Sequence, residues 1–272
     1  MSLVVTSIAS GSSGNAMLLQ TPEAAVLVDC GLAQRTIERE LRHMGVDPCT
    51  LAGILITHEH GDHCHSALSF ARRHNLQLIL NQATANALGA LSAGVAHTIL
   101  PTGQSMNLAG MQIRSFRVAH DAAEPVGYCI RAANWCVGVA IDLGSWDTTV
   151  LEALIDADLI VLEANHDRER LRAAPYTSTV KQRIYSSLGH LDNVEAGKLL
   201  AHIGSDGRRR TVWLAHLSEQ SNSPKLAVDI VNNILSLANI NSMSVHALPR
   251  RAPLVWESQQ HSQQMSMFSF EF

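Results

Sequence analysis

Several things are scarce in this sequence. Aromatic residues make up only 4% of the 272 positions, so flat side chains on which bases could stack are few. No apolar run approaches the ~20 residues that a bilayer-spanning helix requires. The opening residues Met1-Ser2-Leu3-Val4-Val5-Thr6 lack the basic start and apolar block of a secretory signal. Cysteine is limited to five positions, an odd number without a CxxC pair, which argues against a disulfide framework and fits a reducing cytoplasm. A basic excess is missing too. The net charge of −4 provides no global field for nucleic acid, so such a partner would need a local basic patch. What remains is an ordinary globular composition, 46% hydrophobic and 16% charged, long enough to bury a sizeable core. Fourteen histidines stand out against it.

Apolar runs at 3–8, 16–20 and 25–29 read as strands, broken by the turn Ser10-Gly11-Ser12-Ser13-Gly14-Asn15 and by Thr21-Pro22. Residues 33–44 carry Ile37, Leu41 and Met44 at helical spacing. A strand over 53–57 runs straight into a histidine cluster. Helices are expected at 66–74 and 82–91, with a strand at 76–80 between them. The second half repeats this style. Strands at 111–119, 135–141, 159–162 and 211–215 deliver His120, Asp142, Glu163 and His216 at their ends, and 127–132 is a further strand. Helices are expected at 151–154, at 192–203 and at 224–238, the last opened by Pro224. Strand blocks followed by helices, twice over, predict an α+β fold: two mixed β-sheets face to face with helices outside, an αββα sandwich. The catalytic domain is read as residues 1–248. From Pro249 the chain turns polar and Gln/Ser-rich, and 249–272 is read as a flexible tail.

The chemistry centres on His58-x-His60-x-Asp62-His63. On a loop after a strand, positions i, i+2, i+4 and i+5 can converge on one side. Imidazole nitrogens and carboxylate oxygens suit zinc and equally manganese or iron. One ion rarely takes four groups from so short a segment, so two adjacent ions fit the spacing better. None of the cysteines occupies a ligand position, and they read as packing residues.

Thr57-His58-Glu59-His60-Gly61-Asp62-His63 resembles the THxHxDH loop of the metallo-β-lactamase superfamily, a likeness that extends over residues 1–248. The resemblance implies His58, His60, His120 and Asp142 around one ion, and Asp62, His63, Asp142 and His216 around a second. Asp29 matches an early aspartate that braces the loop. Two such ions, zinc or manganese, would clamp a hydroxide and stabilise the attacking and leaving oxygens of a phosphoryl displacement.

Three further stretches narrow the branch: Ser10 to Asn15, Leu162-Glu163-Ala164-Asn165-His166-Asp167, and Gly189-His190-Leu191-Asp192-Asn193. With His216-Leu217-Ser218 they resemble the small WalJ/YycJ/VicX group, which implies 5′→3′ exonuclease activity on DNA, in repair or replication. Asp192 and Ala164 stand where that group commonly shows serine. His190 lies between the bridging aspartate and the last ligand, where tRNA 3′-processing ribonucleases carry a non-ligand histidine. Asp62, His190 and Glu163 are therefore the candidate catalytic groups, with His190 protonating the leaving oxygen and Glu163 orienting it. The plainer alternative has His190 and Asn193 only capping the 192–203 helix. Ser12, Asn15, His166 and Asn193 are candidate substrate contacts, although His166 and Asp167 equally suit a polar turn.

Arg208-Arg209-Arg210 and Arg250-Arg251 are candidate phosphate contacts. Near the end, Gln264-Met265-Ser266-Met267-Phe268 resembles the QL[SD]LF pentapeptide that docks bacterial repair proteins on the DNA polymerase sliding clamp. Gln264, Met265, Met267 and Phe268 are accordingly candidate partner-binding residues, and that reading favours DNA over RNA. The rivals are a glyoxalase II-like (thio)ester hydrolase, an RNA-processing nuclease, and a scaffold that binds metals with little turnover.

Overall fold

The computed structural model describes residues 2–90 and 93–258. Strands such as Ala-Val-Leu-Val and Leu-Ile-Val-Leu-Glu are buried at every position, the pattern of sheets covered on both faces. One sheet contains β1 (Val4–Ala9), β2 (Ala16–Gln20), β3 (Ala25–Val28), β4 (Gly53–Leu55), β5 (Leu78–Leu80) and β6 (His97–Ile99). The other contains β7 (Ser105–Leu108), β8 (Met111–Arg117), β9 (Val126–Ala132), β10 (Trp135–Ala140), β11 (Leu159–Glu163), β12 (Arg210–Ala215) and β13 (Met243–Ala247). A last strand, β14 (Leu254–Glu257), returns to the first sheet. The spatial orders are 14-1-2-3-4-5-6 and 13-12-11-10-9-8-7. Each sheet is antiparallel over one half and parallel over the other.

Helices α1 (Gln34–His43), α2 (Gly61–Cys64), α3 (Ala67–His74) and α4 (Gln82–Leu88) follow strands of the first sheet. Ile37, Leu41, Phe70 and Ala85 pack α1, α3 and α4 onto its outer face. In the second half come α5 (Thr148–Leu154), α6 (Arg168–Ala173), α7 (Ser178–Tyr185), α8 (Asn193–Ile203) and α9 (Pro224–Leu237). Ala153, Leu199 and Val231 carry α5, α8 and α9 onto the outer face of the second sheet. Between the sheets lies a third apolar layer, with Leu19, Val28 and Leu55 facing Ile113, Val139, Val161 and Trp213. This is the αββα sandwich expected from the sequence.

Capping sets the helix starts. Asp192 accepts from the backbone of Val194 and Glu195 at 2.8 and 3.0 Å to open α8, and Ser223 caps α9 ahead of Pro224. The expected elements are present. Strands β6, β7, β13 and β14 and helices α2, α6 and α7 are additional.

The domain boundary needs correction. Residues 249–258 are not tail: β14 pairs antiparallel with β1, and Leu3 N donates to Ser258 Oγ at 2.9 Å. Trp256 alternates inward and sets its ring edge-on to Trp135, with centroids 5.7 Å apart. A short two-residue alternation hidden in a polar stretch carries almost no sequence signal. Gln264, Met265, Met267 and Phe268 lie outside the described residues. No described helix is long and apolar enough to cross a membrane.

Strand direction places the chemistry. β3 and β4 run parallel, as do β10, β11 and β12. β8 is antiparallel to β9 and β9 to β10, so β8 points the same way as β10. The C-terminal ends of β8, β10, β11 and β12 therefore share one edge of the second sheet, and the loops that follow β3 and β4 meet them there.

Candidate active site

Asp29, Asp142 and His216 follow the ends of β3, β10 and β12, and all three have left-handed backbones, with φ of 59°, 57° and 54°. Non-glycine residues seldom adopt that region, and strain held there is characteristic of functional sites. It turns the chain sharply at the strand end. The histidine loop also needs a close approach at Gly31, where a Cβ would sit 1.7 Å from the carbonyl oxygen of Asp62.

Among the described residues the structure gathers three sets of potential ligand atoms, those of each set within 4.8 Å of one another. His58, His60, His120 and Asp142 form the first, Asp62, His63, Asp142 and His216 the second, and Asp142, Glu163, His190 and His216 the third. Asp142 belongs to all three, and in the third Glu163 Oε1 is already taken up by the two imidazoles. Behind the rings, one nitrogen of each well-supported histidine is already engaged. His120 Nδ1 donates to the Gly189 carbonyl at 2.9 Å, and His58 Nδ1 meets Thr57 Oγ1 at 3.1 Å. His63 Nδ1 meets Asp29 Oδ2 at 2.7 Å. His216 Nδ1 meets Glu163 Oε1 at 2.9 Å. These supports assign the tautomers and leave each Nε2 facing the cluster, the arrangement by which outer partners orient metal-binding imidazoles.

The donor set fits divalent cations. His58 Nε2 and Asp142 Oδ1 are buried without a hydrogen-bond partner among the described residues. His216 Nδ1 comes within 2.7 Å of Asp142 Oδ1, but its alignment is wrong for a hydrogen bond, and its proton goes to Glu163. Buried orphan atoms of this kind are costly unless something else satisfies them.

Electrostatics divides the histidines. Burial and the neighbouring charge of His63 push His58 down to about 4, and burial likewise lowers His120. For His63 burial acts downward but is outweighed by Asp29 and Asp142, which lift it to about 10. His216 is raised well above its ordinary value in the same way, by Asp142, Asp62 and Glu163. Asp142, although buried, is held far down by the His216 and His63 charges.

Glu163 does more than the sequence reading assigned to it. It meets His190 Nδ1 at 2.8 Å as expected, and the same oxygen accepts from His216. Its other oxygen accepts the backbone N–H groups of Leu143 and Leu191 at 2.9 and 3.1 Å. This one buried carboxylate thus orients two histidines and ties together the loops after β10 and before α8. His190 Nε2 has no partner among the described residues; the ring is partly exposed, and it is raised to about 9 because Glu163 and Asp142 outweigh its burial.

Some candidate substrate contacts are corrected. Asn15 is buried, with its Oδ1 accepting from Gly11 N at 2.9 Å and its amide 3.0 Å from His63 Nε2. It braces the loop. Asn193 is buried in a reciprocal amide pair with Asn222, at 3.1 and 2.9 Å. His166 is also buried, and neither ring nitrogen has a hydrogen-bond partner among the described residues. Burial lowers it to about 4, and its ring packs edge-on to Tyr185. Asp167 caps α6 through Arg170 N at 2.9 Å. Ser12 is exposed on its turn. Asn15 and Asn193 resemble substrate contacts until burial shows them bonded to their own chain.

The arginine run is corrected as well. Arg210 begins β12 and His216 follows its end, so the run lies at the opposite end of that strand. Arg210 is buried against Asp206 at 2.6 Å and Arg208 pairs with Asp158 at 3.1 Å. The sequence reading missed Ser10, whose hydroxyl accepts from His216 N at 2.9 Å. It also missed Asn165, which donates to the His216 carbonyl at 2.8 Å. Both occur in the stretches that singled out the branch, and that is their only sequence signal.

Residues 24–217 match the family described as the Beta-lactamase superfamily domain. Exodeoxyribonuclease YycJ of Bacillus anthracis is 33% identical over 238 residues, covering 86% of this chain and 90% of the relative. Exodeoxyribonuclease WalJ of Streptococcus pneumoniae is 35% identical over 240 residues, covering 86% and 88%. Among solved structures, the metallo-beta-lactamase fold protein YhfI from Bacillus subtilis superposes with a TM-score of 0.73 at 17% identity, covering 95% of this chain and 100% of YhfI. The short form of human tRNase Z gives 0.60 at 15%, covering 79% and 93%. Those two likenesses speak to the fold. With its strand-end histidines and carboxylates, and with relatives matched over most of their length, the chain belongs to the β-lactamase superfamily as a metal-dependent hydrolase related to YycJ and WalJ.

Proposed function

We propose that the protein is a dinuclear phosphodiesterase acting as a 5′→3′ exonuclease on DNA, in repair or replication. The observation that carries the hydrolytic part is Asp142, common to every set of converging ligand atoms among the described residues. The names of the two curated relatives, both exodeoxyribonucleases, support DNA as the substrate. His58, His60, His120 and Asp142 would hold one cation, and Asp62, His63, Asp142 and His216 the other, zinc or manganese. Such a pair supplies Lewis acidity, an activated water and charge neutralisation at the phosphate.

The chain's own groups do the rest. Asp142 and Asp62 bring the negative charge that draws the cations in. His190, held by Glu163 through Nδ1, presents a proton at Nε2 to the leaving 3′-oxygen. Glu163 keeps His190 and His216 in register, so it acts as a positioning residue. A glyoxalase II-like reading would leave the Glu163–His190 pair without work. The test uses metal-loaded protein, with zinc and manganese separately, on DNA and RNA labelled at either end, beside a thioester and a His58→Ala control. Stepwise loss from the 5′ end of DNA, absent in the control, is expected. Thioester cleavage with nucleic acids untouched would refute the nuclease assignment.

A further inference from the structure

The chain leaves the active site at Glu163 and re-enters it at His190, two residues joined by a 2.8 Å hydrogen bond. The excursion between them carries α6 and α7. It is firmly attached. Gly144 lies so close that a Cβ there would be 2.4 Å from Gly189 N, and Gly189 supplies the carbonyl behind His120. Arg183 reaches across to Asp121, beside His120, at 2.6 and 3.2 Å. Tyr185 Oη donates to the Arg168 carbonyl at 2.6 Å. Yet α7 buries none of its residues. It is a fixed surface feature at the mouth of the site.

Its composition is unlike that of the whole chain. Residues 168–188 contain five basic residues (Arg168, Arg170, Arg172, Lys181, Arg183) and one acidic, Glu169, in a protein whose net charge is −4. Arg168, Arg172 and Arg183 are paired with carboxylates. Arg170 has no side-chain partner among the described residues, and Lys181 donates only to the Arg172 carbonyl. Val180, Tyr185 and Leu188 are 40, 41 and 50% exposed, three of the six exposed large hydrophobics among the described residues. Unneutralised cations interleaved with exposed apolar side chains suit a ligand with negative charge and apolar faces together. A single-stranded nucleic acid has both, whereas a duplex hides its base faces.

We propose that residues 168–188 form the surface along which single-stranded DNA approaches the active site, with Arg170 and Lys181 on its phosphates and Val180, Tyr185 and Leu188 against its bases. The inference rests on the nuclease reading and adds to it the local basic patch that the net charge of the chain does not provide.

The experiment measures binding of metal-loaded protein to a labelled, phosphorothioate-protected oligothymidylate across a salt series. The variants are Arg170→Ala/Lys181→Ala, the reversal Arg170→Glu/Lys181→Glu, and a charge-matched control elsewhere, Arg39→Ala/Lys225→Ala. The alanine pair is expected to weaken binding about tenfold and to shorten the log–log salt slope by about 1.4, two phosphate contacts' worth for a single strand. The reversal should weaken it further, while the control should bind like the parent. Variants that bind and respond to salt like a parent that still degrades DNA would overturn the surface but not the nuclease reading. A parent that neither binds nor degrades DNA would overturn both. Equally strong loss of duplex binding in the variants would overturn the single-strand assignment.

Discussion

The first two ligand sets look alike as inventories but are supported differently. The rings of His58 and His120 lean on a hydroxyl and a backbone carbonyl, both neutral. The rings of His63 and His216 lean on Asp29 and Glu163, both buried carboxylates. Neutral support leaves burial to dominate, and those imidazoles stay uncharged. For the other pair Asp142, Asp62 and the supporting carboxylates together outweigh burial and lift both rings. Protons therefore occupy the second set of the metal-free protein at neutral pH, and a cation must displace them.

The largest effect should come from the shared residue. Asp142→Ala is expected to abolish hydrolysis and to lower the bound metal on both sides, read by elemental analysis. Retention of two ions would break the idea of a common bridge. Next comes the Glu163–His190 pair, which meets the second set through His216 and lies 3.3 Å from the shared Asp142. His190→Gln should lower kcat by roughly 10²-fold or more, within the range for a lost general acid. It should also flatten one limb of the pH profile while leaving metal content intact, and loss of metal instead would make His190 a ligand.

Asp29→Asn tests the support itself. It is expected to weaken the second ion by about 10–100-fold, a typical cost for an outer partner, with a smaller change at the first. A chelator-competition titration would show equal losses if the sets did not differ. The smallest effect, but the most direct, is the proton count. His63, at about 10, and His216, raised well above its usual value, are protonated at pH 7, whereas His58, at about 4, and the lowered His120 are not. As pH falls from 9 to 6, affinity for the second ion should drop steeply, because each elevated imidazole holds a proton throughout that range which the cation must displace, and affinity for the first should drop less. Calorimetry in buffers of different ionisation enthalpy reads the protons released, and equal release for both ions would sink the comparison.

Much of this was legible beforehand, for a definite reason. Potential ligands sit directly after strands, and a strand is the element that apolar runs announce best. Thus His120, Asp142, Glu163 and His216 could be picked out by position, and the histidine loop by spacing. Asn15 and Asn193 were misjudged because burial of a polar residue has no local pattern. β14 was overlooked because Leu254 and Trp256 alternate for only four residues. Arg208 to Arg210 read as phosphate contacts, but β12 carries them to the end opposite His216.

Residue types and their spacing along the chain determined the donor set, the two-layer strand pattern and the family, since these depend on local sequence alone. The tertiary structure decided which potential donors converge, that Glu163 serves two histidines, and that the α6–α7 excursion stands at the site. Those facts depend on strands and loops far apart in the chain meeting at one edge of two packed sheets. That meeting also sets the burial and the neighbouring charges that separate His58 from His63.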